Sequence, residues 1–350
     1  MTRPTAIADT EVLDGIDIAA VQSYLERLLP GTAGTLRAAL IHGGRSNLTY
    51  LLSDGRSQFV LRRPPLGPLT PSAHDMAREY RIVSALAATP VPVAEPIALC
   101  EDESVIGVPF SVVRYVPGRV LRTREDLEPL TDEQVQRCAD GMMSLLADLH
   151  AVAYLDAGLQ EFGRPAGYVG RQVRRWRDQW DRVTTRESSD FARLHSLLTD
   201  QVPAEGGASV VHGDYRVDNL ILDPVDPGLG RALVDWEMAT IGDPLADLGL
   251  TLAYRDPAFE PVLGGSAAAT SPRMPPARSL AEAYARASGR HLDNLDFYVA
   301  LGYLKAAVIA EGIHARFIAG QTRGAGFETA GSAVPALIAG GLAALTGNRW

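Results

Sequence analysis

The pair Pro117-Gly118 separates two stretches of different hydrophobic period, and that change constrains the fold more than any single motif. Before it, short apolar runs follow one another: Arg37 to His42, Asn47 to Ser53, Gln58 to Arg62, Pro96 to Cys100 and Pro109 to Val116. Tight turns at Gly43-Gly44 and Asp54-Gly55 join the first three, so the pattern predicts strands. One helix precedes them and a second interrupts them. The first is a short amphipathic stretch around Ile18 to Leu29. The other runs from Ser72 to Ala88, where Met76, Tyr80, Val83, Leu86 and Ala87 recur at helical spacing until Pro90 and Pro92 stop it.

Beyond Pro117-Gly118 the chain becomes mainly helical. Helices are predicted over Asp132 to His150, Val169 to Thr184, Phe191 to Asp200, after Pro244, over Arg278 to Ser288 and over Asn294 to Ala319. The apolar stretch from Ala330 to Leu345 is shorter than a bilayer span and is broken by Pro335, Gly340 and Gly341, so it reads as a packed C-terminal helix. The Gly/Ala/Ser/Pro-rich stretch from Leu263 to Pro276 reads as a mobile loop. The expected class is therefore α+β in two lobes. Residues 1–116 form a small five-stranded antiparallel lobe, and residues 117–350 form a larger, mainly helical one.

Composition removes several function classes. With 46% apolar and 21% charged residues over 350 positions, the chain can build a substantial core without staples. Its formal net charge of -9 argues against nonspecific nucleic-acid binding, so any anion site must be local. Cys100 and Cys138 lie in no Cys/His cluster, which makes a disulfide framework or structural zinc unexpected and fits a reducing cytoplasm. The first residues lack the apolar core of a secretory signal, so neither export nor a membrane partner is expected.

Between Ser209 and Val234 the helical period vanishes, leaving short runs at Leu220 to Leu222 and Ala232 to Val234 around a polar loop. Here Asp214, Asn219 and Asp235 follow at intervals of five and sixteen residues. Phosphoryl transfer needs a carboxylate to orient the acceptor hydroxyl and take its proton. It also needs hard oxygen ligands to hold magnesium against the β- and γ-phosphates. Asp214 is the candidate catalytic base, and Asn219 and Asp235 are the candidate metal ligands. An ordinary His-Gly-Asp turn followed by a surface carboxylate is the other reading. Order and strand-loop-strand punctuation favour the catalytic one. His212 is expected to orient the loop, and Asp243 to cap a helix with Pro244 at its first position.

The segment Val210-Val-His-Gly-Asp-Tyr-Arg-Val-Asp-Asn-Leu-Ile-Leu222 with Asp235 resembles the H-G-D-x-x-x-x-N loop and following Asp of the aminoglycoside phosphotransferase and choline kinase families. Ile241-Gly-Asp-Pro-Leu-Ala-Asp-Leu-Gly249 extends the likeness. Gly213 stands where protein kinases carry Arg, and Trp236-Glu237 where they carry Phe-Gly. The resemblance implies a bilobal protein-kinase-like fold using ATP and Mg2+. It implies phosphate contacts near Ser46 and Asn47 in Gly43-Gly-Arg-Ser-Asn-Leu-Thr-Tyr50, although two hairpin glycines also make an ordinary turn. It places Arg62 at the position of the usual lysine, with Glu79 as its ion-pair partner. It also puts adenine against the backbone of Arg114, Tyr115 and Val116.

The acceptor is less directly encoded. A polycationic aminoglycoside requires an acidic site. The helix Gly170-Arg-Gln-Val-Arg-Arg-Trp-Arg-Asp-Gln-Trp-Asp-Arg182 instead gathers Arg171, Arg174, Arg175 and Arg182 near one face. It suits an anionic ligand and equally a solvated basic face over a Trp176/Trp180 core pair. Leu61-Arg-Arg-Pro-Pro65, Pro71-Ser-Ala-His-Asp75, Arg78-Glu-Tyr-Arg81 and the Arg-Gln-Val-x-x-Trp helix resemble the kinase domain fused to some acyl-CoA dehydrogenases and its stand-alone bacterial relatives. That likeness implies a hydroxyacyl-CoA acceptor and an acyl-CoA dehydrogenase partner on a separate chain. An antibiotic kinase and a non-catalytic nucleotide-binding regulatory module remain as alternatives.

Overall fold

The computed structural model describes residues 13–29, 34–41, 47–66, 75–204, 206–321 and 326–347. Ser46, the Gly43-Gly44 turn and the start of the helix expected from Ser72 lie outside them. The chain forms two compact units, Met1–Pro117 and Gly118–Trp350.

In the first unit, α1 (Ile18–Leu28) precedes β1 (Arg37–Leu40), β2 (Leu48–Ser53) and β3 (Gln58–Arg63); α2 (Met76–Leu86) follows, then β4 (Pro96–Cys100) and β5 (Phe110–Arg114). The sheet is antiparallel in the order β1-β2-β3-β5-β4. Strand alternation sends Tyr50, Leu52, Phe59, Leu61, Phe110 and Val112 to one face, where Val21 and Leu25 of α1 complete a core. Each such side chain contributes about 1.5–3 kcal/mol on burial. The same alternation turns Arg62 to the opposite face. Asp75 caps α2 by accepting from Arg78 N–H at 2.9 Å, which explains a helix beginning at Met76.

The second unit begins with α3 (Asp132–Ala151), α4 (Tyr168–Val183) and α5 (Ser189–Asp200). Thr131 and Gln134 form a reciprocal capping box on α3. Short strands β6 (Ser209–Val211), β7 (Leu220–Leu222), β8 (Gly230–Leu233) and β9 (Thr240–Gly242) come next, and pair as β6-β9 and β7-β8. Then follow α6 (Pro244–Ala253), α7 (Glu260–Leu263), α8 (Ala277–Ser288), α9 (Leu295–Ile318) and α10 (Ala330–Ala344). Three-residue β6 and β9 are too short to show a period, and the sequence reading missed both.

Helix α9 is buried around most of its circumference and packs on α4, α6 and α10. At its crossing with α6, a Cβ on Gly249 would lie 2.4 Å from the Tyr298 backbone, so glycine is what lets these helices approach. Among the described residues, no helix is long and apolar enough to cross a membrane.

The mobile loop expected from Leu263 to Pro276 is instead packed. Ala268, Thr270, Ser271 and Met274 are buried. Arg255 donates to the carbonyls of Ala269, Ser271, Met274 and Pro275, while Thr270 bonds Glu260 at 2.7 Å. One guanidinium supplies the hydrogen bonds that composition alone gave no reason to expect.

Candidate active site

Strand β6 leads into the loop carrying His212, Gly213 and Asp214, and a 3-10 turn at Val217–Asn219 leads out into β7. Two side chains hold this loop from beneath. His212 Nδ1 accepts the Asp214 N–H at 3.2 Å, so its proton sits on Nε2 and is donated to the Val234 carbonyl at 3.0 Å. Its orienting role thus follows from geometry. Asp247, buried on α6, accepts the N–H groups of His212 at 2.6 Å and Gly213 at 2.7 Å.

Behind Asp247 stands His150, whose Nε2 lies 3.4 Å from the carboxylate and whose Nδ1 lies 2.7 Å from the Tyr284 hydroxyl. Burial alone would raise the Asp247 pKa, but the hydrogen bonds it accepts from His150 and from the Gly213 N–H hold it below the usual carboxylate value. Burial pushes His150 down, so the folded protein keeps it neutral where an unfolded chain would protonate it. The unfolded state then binds the extra proton, so stability must fall as pH drops below about 6.5. Denaturation at pH 5 to 7 should show this group contributing up to about 1.4 kcal/mol per pH unit. His150→Gln should remove that contribution; an unchanged slope would contradict the assignment.

Gly213 shows why the protein-kinase Arg is absent. Its φ is +84°, and a Cβ would lie 2.6 Å from the Met238 carbonyl oxygen.

Asp214 is held at both oxygens. Tyr254 donates to Oδ1, and Arg216 Nε lies 3.1 Å from Oδ2. Asn219 Nδ2 donates to the Asp214 carbonyl at 2.8 Å and lies 3.3 Å from Oδ2. Burial works to raise its pKa, yet Arg216, Lys305 and the Tyr254 hydroxyl outweigh it and bring Asp214 down to about 2. The carboxylate is therefore charged throughout the neutral range. Arg216 is shared with Asp218 at 2.7 Å.

The β7-β8 hairpin sets the other two candidates. Leu220 pairs with Leu233, and the Val234 N–H donates to the Asn219 carbonyl at 2.9 Å, so Asn219 and Asp235 emerge at the same end. Asp235 has left-handed backbone at φ +70°, a conformation an Asp tolerates and a bulkier residue resists. Because Nδ2 of Asn219 is turned to Asp214, its Oδ1 is left as an acceptor. Two hard oxygen donors suit magnesium, which keeps several waters and phosphate oxygens of its own. Among the described residues no group of three or more His, Cys, Asp or Glu is arranged for a metal.

In the N-terminal unit, Arg62 Nε lies 3.5 Å from Glu79, and Asn47 Nδ2 donates to the same carboxylate at 3.0 Å. Asn47 is buried, and its amide braces Glu79. At the end of β5 the Arg114 N–H bonds the Glu95 carbonyl at 2.8 Å and the Tyr115 N–H bonds Gln58 at 3.0 Å. Those two donors are spent on the sheet, which leaves the Val116 amide as the candidate donor to a nucleobase.

The α4 arginines divide. The Arg171 guanidinium donates to the carbonyls of Arg164 and Ala166, which fastens the preceding loop. Arg174 and Arg175 stay exposed. Trp176 and Trp180 are buried as expected, with Trp180 stacked on Phe191 at 3.9 Å. Sequence reasoning missed Tyr254 and Lys305, each brought in by a distant helix. Arg216 was inside the quoted motif but received no role.

The chain matches the family described as "Phosphotransferase enzyme family", APH, over residues 37–298. It is 35% identical over 316 residues to chicken (Gallus gallus) acyl-CoA dehydrogenase family member 11, covering 87% of this chain and 40% of that protein. It thus spans about two-fifths of that relative. Viomycin phosphotransferase of Streptomyces vinaceus is 28% identical over 229 residues, covering 65% of this chain and 76% of that enzyme. Among solved structures, one described as an aminoglycoside phosphotransferase from Ralstonia eutropha superposes with a TM-score of 0.81 at 31% identity, covering 95% of this chain and 99% of that one. Aminoglycoside phosphotransferase APH(4)-Ia, solved with ADP and hygromycin B, shares the fold at a TM-score of 0.60, 15% identity, and coverage of 92% and 99%. With the family model spanning both units and these likenesses behind it, the chain belongs to the APH phosphotransferase enzyme family.

Proposed function

We propose that this phosphotransferase moves the γ-phosphoryl group of Mg-ATP to the hydroxyl of a hydroxyacyl-CoA or a similar anionic metabolite. The observation that carries the transfer reaction is Asp214, a carboxylate fixed at both oxygens beside Asn219. Of its lone pairs, the one left on Oδ1 accepts the acceptor's O–H. A carboxylate with a pKa of about 2 is a weak base in the ground state. Asp214 therefore orients the nucleophilic oxygen first and takes its proton only as the O–P bond forms. Asn219 and Asp235 would hold magnesium, which when bound neutralises charge on the β- and γ-phosphates. In the N-terminal unit, Arg62 would grip phosphate oxygens with Glu79 fixing its fork. Nucleotide use is supported by relatives of the same fold solved with ADP or AMP-PNP.

For the acceptor, the exposed Arg174 and Arg175 and the likeness to acyl-CoA dehydrogenase family members favour an anion. A separate acyl-CoA dehydrogenase chain is the matching partner. The antibiotic-kinase reading has two observations on its side, the likeness to viomycin phosphotransferase and the likeness to the Ralstonia eutropha structure described as an aminoglycoside phosphotransferase. A regulatory module without turnover is disfavoured by the intact Asp214, Asn219 and Asp235. ADP release measured against parallel panels of hydroxyacyl-CoAs and aminoglycosides separates the three. Turnover only with acyl-CoAs supports the proposal, turnover with aminoglycosides overturns the acceptor, and nucleotide binding with no turnover overturns the enzyme. Arg62→Ala should raise KM for Mg-ATP roughly ten- to hundredfold, since it removes a charge-assisted contact of about 1.5–3 kcal/mol. Arg62→Lys should recover part of that loss. An unchanged KM in Arg62→Ala would remove Arg62 from the nucleotide site.

A further inference from the structure

We propose that Lys305 is a catalytic residue, its ammonium contacting the oxygens of the phosphoryl group in flight. The inference rests on the phosphotransferase reading above. Lys305 rises from α9 to donate to the Gly213 carbonyl, one residue from the catalytic carboxylate. Its Nζ stands 5.7 Å from the Trp176 ring centroid. Among the described residues it has no carboxylate within 4.0 Å, and Gly213 is its one hydrogen-bond acceptor. An ammonium carries three N–H donors, so two remain for a ligand.

The other cation at Asp214 is already committed. Arg216 is neutralised by Asp214 at 3.1 Å and Asp218 at 2.7 Å, and so has no net charge to offer. Lys305 does. Lys305 is partly buried with no carboxylate in contact, which disfavours an ammonium, and this burial depresses its pKa despite the charge of Asp214. If packing against Trp176 were the whole purpose, a methionine would fill the space without that penalty. A preorganised cation where negative charge develops is the arrangement that lowers a phosphoryl-transfer barrier. No group is transferred to Lys305. It keeps its protons, and the new O–P bond forms as the bond to ADP breaks.

The test uses Lys305→Met, Lys305→Arg and Lys305→Ala in the full chain, with Mg-ATP as donor and either water or a hydroxyacyl-CoA as acceptor. Lys305→Met should lower kcat about 10²-fold or more with both acceptors. Its Kd for Mg-ATP and its melting temperature should stay near wild type. Lys305→Arg should retain more activity than Lys305→Met. Ethylammonium should partly restore Lys305→Ala, whereas neutral propanol should not. That rescue by charge is what a merely structural lysine would not show. Activity within threefold of wild type in Lys305→Met, or rescue by propanol as well, overturns the inference. So does a loss confined to KM for the acyl-CoA with hydrolysis intact, which would assign the ammonium to an anion of the acceptor. A wild-type chain with no turnover on either acceptor sinks the underlying phosphotransferase reading instead, a result distinguishable from all of these.

Discussion

Asp214→Asn is expected to lower kcat by about 10³-fold while leaving Mg-ATP binding within a few-fold of wild type. The substitution keeps the side chain's volume but removes its charge and one of its acceptors. The amide NH2 must then face either the Tyr254 hydroxyl at one oxygen position or Arg216 and Asn219 at the other. Arg216 would retain only Asp218 as its counter-ion. The acceptor hydroxyl would lose the group that aligns it and receives its proton. Asp235→Ala should behave differently, weakening the metal-nucleotide complex itself and raising the magnesium concentration needed for half-maximal rate. Single-turnover rates and calorimetric Mg-ATP titrations on both variants separate the two roles. Equal losses of nucleotide binding would contradict the assignment of base to Asp214 and metal ligand to Asp235.

The second large effect is on stability. Asp247→Ala should destabilise the protein by about 3–5 kcal/mol, because it removes the acceptor from several buried donors at about 1–3 kcal/mol each. The N–H groups of His212 and Gly213, now bonded at 2.6 and 2.7 Å, would be left without acceptors. His150 would lose the carboxylate against its Nε2. For a unit of this size the loss corresponds to roughly 10 °C in Tm. Activity should fall with it even at low temperature, since the same two N–H bonds hold the catalytic loop down. Asp247→Asn should be intermediate, offering one oxygen where two N–H groups need an acceptor. A melting temperature unchanged in Asp247→Ala would show that the loop holds its shape by other means.

Sequence alone carried some of this. The grouping of Asp214, Asn219 and Asp235 was legible because their spacing is local, fixed by one loop and one hairpin. The five strands of the N-terminal sheet were legible because alternation and turn glycines mark them, and the pairing of Arg62 with Glu79 was implied by the resemblance to kinases. Tyr254 and Lys305 were not legible. They reach the loop from 40 and 92 residues away, and nothing in an apolar helix announces that one of its residues crosses the core to a catalytic turn. The contacts of Arg171 were hidden for a related reason. Helical spacing showed which face it occupies but not that the carbonyls of Arg164 and Ala166 would take its guanidinium. The stretch before Pro276 misled because small residues read as loose, whereas Arg255 and Thr270 bind its backbone in place.

The most direct test of the central claim is to incubate the protein with Mg-ATP and a 4-hydroxyacyl-CoA and to follow ADP and the acyl-CoA by mass spectrometry, with Asp214→Ala alongside. The account predicts one phosphate added to the acyl-CoA hydroxyl for each ADP formed, and neither product from the variant. Phosphorylation of an aminoglycoside instead, or ADP formation that survives in Asp214→Ala, would contradict it.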